Sequence, residues 1–280
     1  MSEFDVQRDR LEQHHKRHIV FDLDGVILRW PSAHTPNHAD QAAFDAMLPR
    51  IHEVGTTISI LTNRPPGHMQ AIAYRLGLDS GWFVTESGGS VYDVATHKAS
   101  VAPQWLGFAQ DQVPRLRSEL VDRGLVSAAP ASADVAQFEP GMGYVKTVVL
   151  PPAGISLDEY GKRIQEVADA IGPDEFDVKV GKAIDVDPKG LSKVVGIKSV
   201  LDLNGVDPSQ VPTIFIADAK RDVEAGRWLM EQGGYVGVVG NADGVFANAF
   251  RENDRAIYAP PTTEYFSSVA KILTTFHDES

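Results

Sequence analysis

The chain has 280 residues, 43% of them apolar and 23% charged, enough to bury the core of one large domain or two ordinary ones. A net charge of −12 argues against a generally nucleic-acid-binding surface. The absence of cysteine excludes disulfides, thiolate metal sites and a cysteine nucleophile, in keeping with a reducing compartment. No apolar run approaches the roughly 20 residues of a membrane span, and the first residues lack the apolar core of a secretory signal, so the expected address is the cytoplasm.

Residues 1–17 are polar and charged, with His14 and His15 adjacent, and read as a lead-in rather than a metal site. The run His18-Ile19-Val20-Phe21 is long enough for one buried strand and too short for a helix. It passes directly into Asp22-Leu23-Asp24-Gly25-Val26. Residues i and i+2 of extended backbone point to one side, so Asp22 and Asp24 can face one small volume at a strand's carboxyl end. Two crowded acids repel, and need a cation, a shared proton or bulk water. D-x-D-G also occurs in calcium loops and in solvated turns, so this stretch alone leaves those readings open.

Residues 30–37 hold two prolines and read as a loop. Residues 39–54 carry Ala43, Met47, Ile51 and Val54 at helical spacing, with Gly55 placed as a C-terminal cap. A second strand is expected over 57–61, ending in Thr62-Asn63-Arg64-Pro65-Pro66. A helix over 67–76 stops at Gly77, and 82–85 reads as a third strand. This alternation with short connections indicates a doubly wound parallel α/β sheet.

The texture then changes. Residues 87–90 read as a flexible turn, 91–93 with 98–101 as a polar hairpin, and 111–123 as an amphipathic helix. Residues 128–136 are a loop or weak edge, 144–150 a strand, 157–171 a helix, and 176–180 and 184–186 short strands. The strict parallel rhythm is missing, which predicts an α+β unit inserted over 88–182. From Gly190 the rhythm returns: helix 191–203, strand 212–217 ending in Asp218, helix 222–231, strands 235–239 and 256–258, and a closing helix 262–276. The sheet domain is therefore expected over 18–87 and 183–280.

Four predicted strand ends carry polar residues: Asp22 with Asp24, Thr62 with Asn63 and Arg64, Glu86 with Ser87, and Asp218 with Asp222. Lys193 lies just inside a helix of the same domain. Function gathers at strand carboxyl ends in such sheets. The set contains acids for a divalent cation, a hydroxyl donor and two cations for an anion, an inventory that suits phosphoryl transfer.

With these motifs in order, the chain resembles the haloacid dehalogenase superfamily of phosphatases, in its type with a large α+β cap between the second and third motifs. The first motif reads FDLDGV, the second ILTNR, the third Gly190-Leu191-Ser192-Lys193, and the fourth runs from Ile216 to Asp222 as IADAKRD. Gly240-Asn241-Ala242 followed by Ala256-Ile257-Tyr258 resembles the end of the Cof-type chains, and the likeness covers residues 18–275. The resemblance implies a Rossmann-like core and hydrolysis of a small phosphate ester, with no nucleic-acid or membrane partner. By the same resemblance Asp22 is the nucleophile that becomes an aspartyl phosphate, and Asp24 the general acid and base. Mg²⁺ is implied at Asp22, the Asp24 backbone carbonyl and Asp218, with Asp222 supporting its water shell or orienting Lys193. Thr62 donates to a phosphoryl oxygen with Asn63 nearby, and Lys193 balances charge as a point cation.

Lys189 competes with Lys193 for that role, and the GxSK register favours Lys193. Arg64 either binds the leaving group or pairs with an acid; Glu86 and Ser87 are a structural turn or a ligand contact; Asn241 is a turn residue. Ala217, Arg221 and Val26 depart from the family pattern, where glycine, asparagine and threonine are usual. Substrate choice is expected from the cap, with Lys146, Lys179 and Lys182 as candidate contacts and a sugar phosphate as the substrate class. A phosphomutase and a degenerate ligand-binding relative are the competing readings.

Overall fold

Ile19, Val20 and Phe21 are wholly buried and form the middle of the larger of two sheets. The computed structural model describes residues 17–28, 42, 45, 46, 48, 49, 56–127, 137, 138, 143–152, 154–181, 183–261 and 265–279. In chain order come β1 (Arg17–Phe21), β2 (Thr56–Leu61), α1 (Met69–Arg75), β3 (Trp82–Thr85), the hairpin of β4 (Ser90–Asp93) and β5 (Lys98–Val101), and α2 (Leu106–Asp122). Then follow β6 (Gln137–Phe138), β7 (Thr147–Leu150), α3 (Leu157–Ile171), β8 (Phe176–Val180) and β9 (Ile184–Pro188). The chain closes with α4 (Lys193–Asn204), β10 (Thr213–Ala217), α5 (Val223–Glu231), β11 (Tyr235–Val238), α6 (Gly244–Ala249), β12 (Ala256–Tyr258) and α7 (Tyr265–Glu279).

The large sheet has the order β12-β11-β10-β1-β2-β3-β4-β5. It is parallel from β12 to β3, and the hairpin adds two antiparallel strands. Alternation along the strands sorts their side chains into two layers. Ile19, Phe21, Ile58, Ile60, Ile214 and Ile216 pack with Met69 and Ile72 of α1 and with Val269, Ile272 and Phe276 of α7. Val20, Leu61, Phe215 and Val236 pack on the other face with Ile197 and Val200 of α4 and Leu229 of α5. On that second face the buried His18 shares its ring Nε2 with Ser59 Oγ at 2.9 Å. Asn204, at the far end of α4, donates to the same Ser59 oxygen at 3.2 Å.

The smaller sheet is antiparallel, in the order β6-β7-β9-β8. Val149, Ile184, Val186 and Phe176 pack on Leu116 and Leu120 of α2 and on Ile164 and Val167 of α3. The opposite face carries Asp177, Lys179, Asp185 and Asp187, with Val148 and Leu150 beside them. The hairpin expected within the inserted unit forms, but β4 pairs with β3, so it belongs to the large sheet. β9 pairs with β7 and β8, in the small sheet. By sheet membership the chain leaves the large sheet after Val101 and the small one after Pro188. A hairpin's pattern encodes its internal pairing but not the third strand it joins.

Residues 1–16 of the predicted lead-in over 1–17, the loops at 30–37 and 128–136 and Lys182 lie outside the described residues, as does most of the predicted helix 39–54, while Arg17 opens β1. Among the described residues no helix is long and apolar enough to cross a membrane.

Candidate active site

From β1 the chain moves outward to β2 and β3, and it later resumes on the other side of β1 with β10. The strand order therefore reverses between β1 and β10, and the crevice beyond their carboxyl ends is where such sheets hold ligands. Asp22 and Asp218 stand at those two ends. The strands are in register, Phe21 opposite Ile216, and the Asp22 N–H donates to the Ile216 carbonyl at 2.9 Å.

Asp22 continues the row of His18 and Val20, so it belongs to the α4 side of the sheet. Lys193 is the first residue of α4, which Ser192 caps by accepting from the Val195 N–H at 3.4 Å. Its ammonium lies 2.8 Å from Asp22 Oδ2 and also pairs with Asp222 Oδ1. The second oxygen of Asp22 accepts from the Leu23 N–H at 2.8 Å, and that of Asp222 from the Ala219 N–H at 3.2 Å. Asp22, Asp218 and Asp222 each offer one carboxylate oxygen within 4.8 Å of one another.

Three acids thus face one ammonium. Burial pushes Asp22 up from 3.8 to about 6, Lys193 opposing and Asp222 and Asp24 adding to the rise. Burial likewise pushes Asp218 up from 3.8 to about 7, with Asp22 and Asp222 raising it and Lys193 and Arg221 lowering it. Burial alone would lower Lys193, but Asp22 and Asp222 hold it above the ordinary lysine range. The cluster is short of positive charge, and its hard oxygen donors suit a divalent ion such as Mg²⁺.

The loop after β1 is shaped for this crowding. Gly25 has φ +83°, and a Cβ there would stand 1.9 Å from Asp218 Oδ2, so only glycine allows the approach. Its carbonyl accepts from the Asn241 side chain at 2.8 Å, a brace that turns up where only a turn residue was expected. Asp243, which the sequence reading passed over, donates its N–H to the Asp218 carbonyl at 2.8 Å and caps α6 through the Phe246 N–H at 2.7 Å.

At the end of β2, the buried Thr62 accepts from the Arg64 N–H at 3.2 Å, which leaves its own O–H to donate elsewhere. Asn63 Oδ1 accepts from the Ser87 hydroxyl. Arg64 grips Asp24 with both arms, Nε to Oδ2 at 2.9 Å and Nη2 to Oδ1 at 2.6 Å. The Asp24 carboxyl is therefore turned toward Arg64 and is not one of the three clustered acids. Ala217 extends β10 without positive φ, so alanine is unstrained at this position. Arg221 is exposed and adds positive charge beside Asp218.

Lys146 and Lys179 are not free cations. Both pair with Asp187, at 3.2 Å and 2.8 Å, and Lys146 also lies 3.7 Å from Asp185. Lys189 pairs at 2.7 Å with Asp174 on the exposed surface, far from the role in which it competed with Lys193. Glu86 is wholly buried and accepts from three successive backbone N–H groups, those of Tyr144, Val145 and Lys146.

No protein-family model matches the chain, and no curated protein matches it. Solved structures do. Protein 0175 of Thermoplasma acidophilum superposes with a TM-score of 0.64 at 14% identity, over 94% of this chain and 99% of its own. A haloacid dehalogenase-like hydrolase from Bacteroides thetaiotaomicron gives 0.62 at 16%, over 92% and 98%. The sucrose-phosphatase of Synechocystis, solved with sucrose and phosphate, gives 0.60 at 16%, over 94% and 98%. The chain has the fold of the haloacid dehalogenase-like hydrolases, a Rossmann-like α/β core with a separate antiparallel-sheet cap.

Proposed function

We propose that the protein is a Mg²⁺-dependent phosphomonoester hydrolase that works through an aspartyl phosphate on Asp22. The observation that carries this reading is a buried carboxylate at the switch point, paired with Lys193 and clustered with Asp218 and Asp222. Asp22 supplies the attacking oxygen: its bond to phosphorus forms as the bond from phosphorus to the leaving oxygen breaks. Asp24 gives a proton to that leaving oxygen. It then takes one from the water whose oxygen attacks phosphorus, which frees Asp22 and releases inorganic phosphate. In the present arrangement Arg64 donates to both oxygens of Asp24, so one contact must open and that oxygen take up a proton from solvent before Asp24 can protonate the leaving oxygen.

Lys193 stays on Asp22 and stabilises the charge that gathers on the transferring group. Thr62 offers its hydroxyl to a phosphoryl oxygen. Asp22, Asp218 and the Asp24 carbonyl would hold Mg²⁺, with Asp222 behind them; the ion would screen the carboxylate from the phosphate dianion. The substrate class is a phosphorylated sugar or similar polyol. Support comes from the likeness to the sucrose-phosphatase and from the charged face of the small sheet, where Lys146, Lys179, Asp185 and Asp187 suit hydroxyl-rich ligands.

A phosphate-release screen over sugar phosphates, phosphoglycerates and nucleotides tests the proposal. Turnover should require Mg²⁺, stop with chelator, and vanish in Asp22→Asn. Near-native turnover in Asp22→Asn would remove the nucleophile from the proposal. Isomer formation from a hexose monophosphate without phosphate release would make the protein a mutase.

A further inference from the structure

We propose that Glu86 is a positioning residue that locks the 62–64 loop to the crossing between β6 and β7 of the inserted unit, residues 143–146, so that the two behave as one body. The inference rests on the active-site reading above only in taking Thr62 as a phosphate contact and Arg64 as the partner of Asp24.

Glu86 and Ser87 follow β3 with φ of 52° and 58°, two successive left-handed residues of which neither is glycine. Side chains adopt that conformation rarely, and it persists only where the surroundings over-determine it. Here they do. The backbone faces the catalytic loop: the Glu86 N–H donates to the Arg64 carbonyl at 3.0 Å and the Ser87 N–H to the Thr62 carbonyl at 2.9 Å. The side chain faces the inserted unit. Oε1 accepts from the N–H groups of Val145 and Lys146 at 3.1 Å and 2.9 Å. Oε2 accepts from the Tyr144 N–H at 3.0 Å and from Ser90 Oγ at 2.5 Å. Four donors fill the carboxyl group's acceptor sites, so Glu86 has none left for a ligand.

The crossing is gripped from its other side as well. Arg117, reaching from α2, donates Nη2 to the carbonyls of Gly143 and Lys146 at 2.8 Å and 3.0 Å, and Nε to Thr147 Oγ1 at 3.2 Å. One side chain thus takes the N–H groups of the crossing and another its carbonyls. Gly143 leaves room for the carboxyl group, since a Cβ there would stand 1.8 Å from Glu86 Oε1. The same turn abuts the helix of Lys193, because a Cβ on Gly88 would lie 2.8 Å from the Gly196 nitrogen. A mere plug would need to hold one neighbour; Glu86 holds the catalytic loop through its main chain and the crossing through its side chain.

The test compares full-length wild type with Glu86→Gln and Gly143→Ala, the second of which intrudes on the carboxyl group from the other partner. Amide hydrogen exchange is followed along the chain, with turnover of p-nitrophenyl phosphate in Mg²⁺ measured in parallel. Exchange over 62–64 and 143–147 should accelerate together by about tenfold or more, with the remaining core within about twofold. The kcat should fall by about tenfold or more while KM holds within about twofold, as misplaced catalytic groups require. Acceleration in only one of the two segments, acceleration spread evenly over the protein, or an unchanged kcat would overturn the proposal. If wild type hydrolyses no ester at all, the phosphatase reading fails and the exchange pattern alone decides the lock. If Glu86→Gln does not fold, Gly143→Ala must give the same paired pattern for the lock to stand.

Discussion

Removing Mg²⁺ should leave the protein with a stability that falls as pH rises, because two of its clustered acids titrate late. Folding raises Asp22 from 3.8 to about 6 and Asp218 from 3.8 to about 7. Well below pH 3.8 both acids are protonated in the folded and the unfolded chain, and their contribution to stability is fully present. As pH climbs, the unfolded chain releases its protons first, while the folded protein keeps them until about 6 and about 7. Stability is lost across that window and levels off above it. At about 1.4 kcal/mol for each tenfold displacement, Asp22 alone implies a loss on the order of 3 kcal/mol. Each acid raises the other, so the pair acts as one contribution.

Mg²⁺ should reverse this where the acids are ionised. At about 100 times its Kd a bound ion adds about 2.7 kcal/mol, or a rise in Tm of about 5–10 °C for a chain of this size. Near pH 5 it must displace protons, and the rise should shrink to about 2 °C or less. Thermal unfolding near pH 5 and pH 8, with chelator or with Mg²⁺, measures all four values. Asp218→Asn cannot ionise and should flatten the metal-free profile. A metal-free protein as stable near pH 8 as near pH 5, or an equal Mg²⁺ gain at both, would refute the reasoning.

Lys193→Met removes the ammonium between Asp22 and Asp222 and should destabilise by about 3–5 kcal/mol in urea unfolding, with turnover abolished; a change under about 1 kcal/mol would mean the acids are not held ionised. Gly25→Ala forces a Cβ toward Asp218 at a φ of +83°. It should cost about 1–3 kcal/mol and erase the Mg²⁺-dependent rise in Tm, whereas a retained rise would show that Asp218 is dispensable for the ion.

Much of the core was readable in one dimension because its rules are local. A short apolar run ending in Asp22 and Asp24, a GxSK register ending in Lys193, and an apolar run ending in Asp218 each announce a strand or helix terminus. Parallel order then brings those termini to one crevice. What stayed hidden depends on distant partners. Ser87-Gly88-Gly89-Ser90 suggests flexibility from its glycines, yet Glu86 and Ser87 share the positive φ of Gly88, and amides at Tyr144 to Lys146 hold the Glu86 carboxyl group. Arg64 and Asp24 are separated by 40 positions, and nothing near either one marks the pair. Lys146 and Lys179 looked available because the strand register that sets Asp185 and Asp187 beside them is a property of the sheet. At six residues, α6 is too short to show a helical period.

The contact of Asn204 with Ser59, whose oxygen also meets His18, reaches further than its place in the core suggests. A helix of 12 residues is a rod of about 18 Å, and this one is pegged at its far end to the two central strands. The peg, with Ile197 and Val200 packed on the sheet, resists slip or rotation of α4 and so helps set the reach of the ammonium at its other end. Substitutions at the peg would then register first as a mistuned catalyst, and only afterwards as a weaker fold.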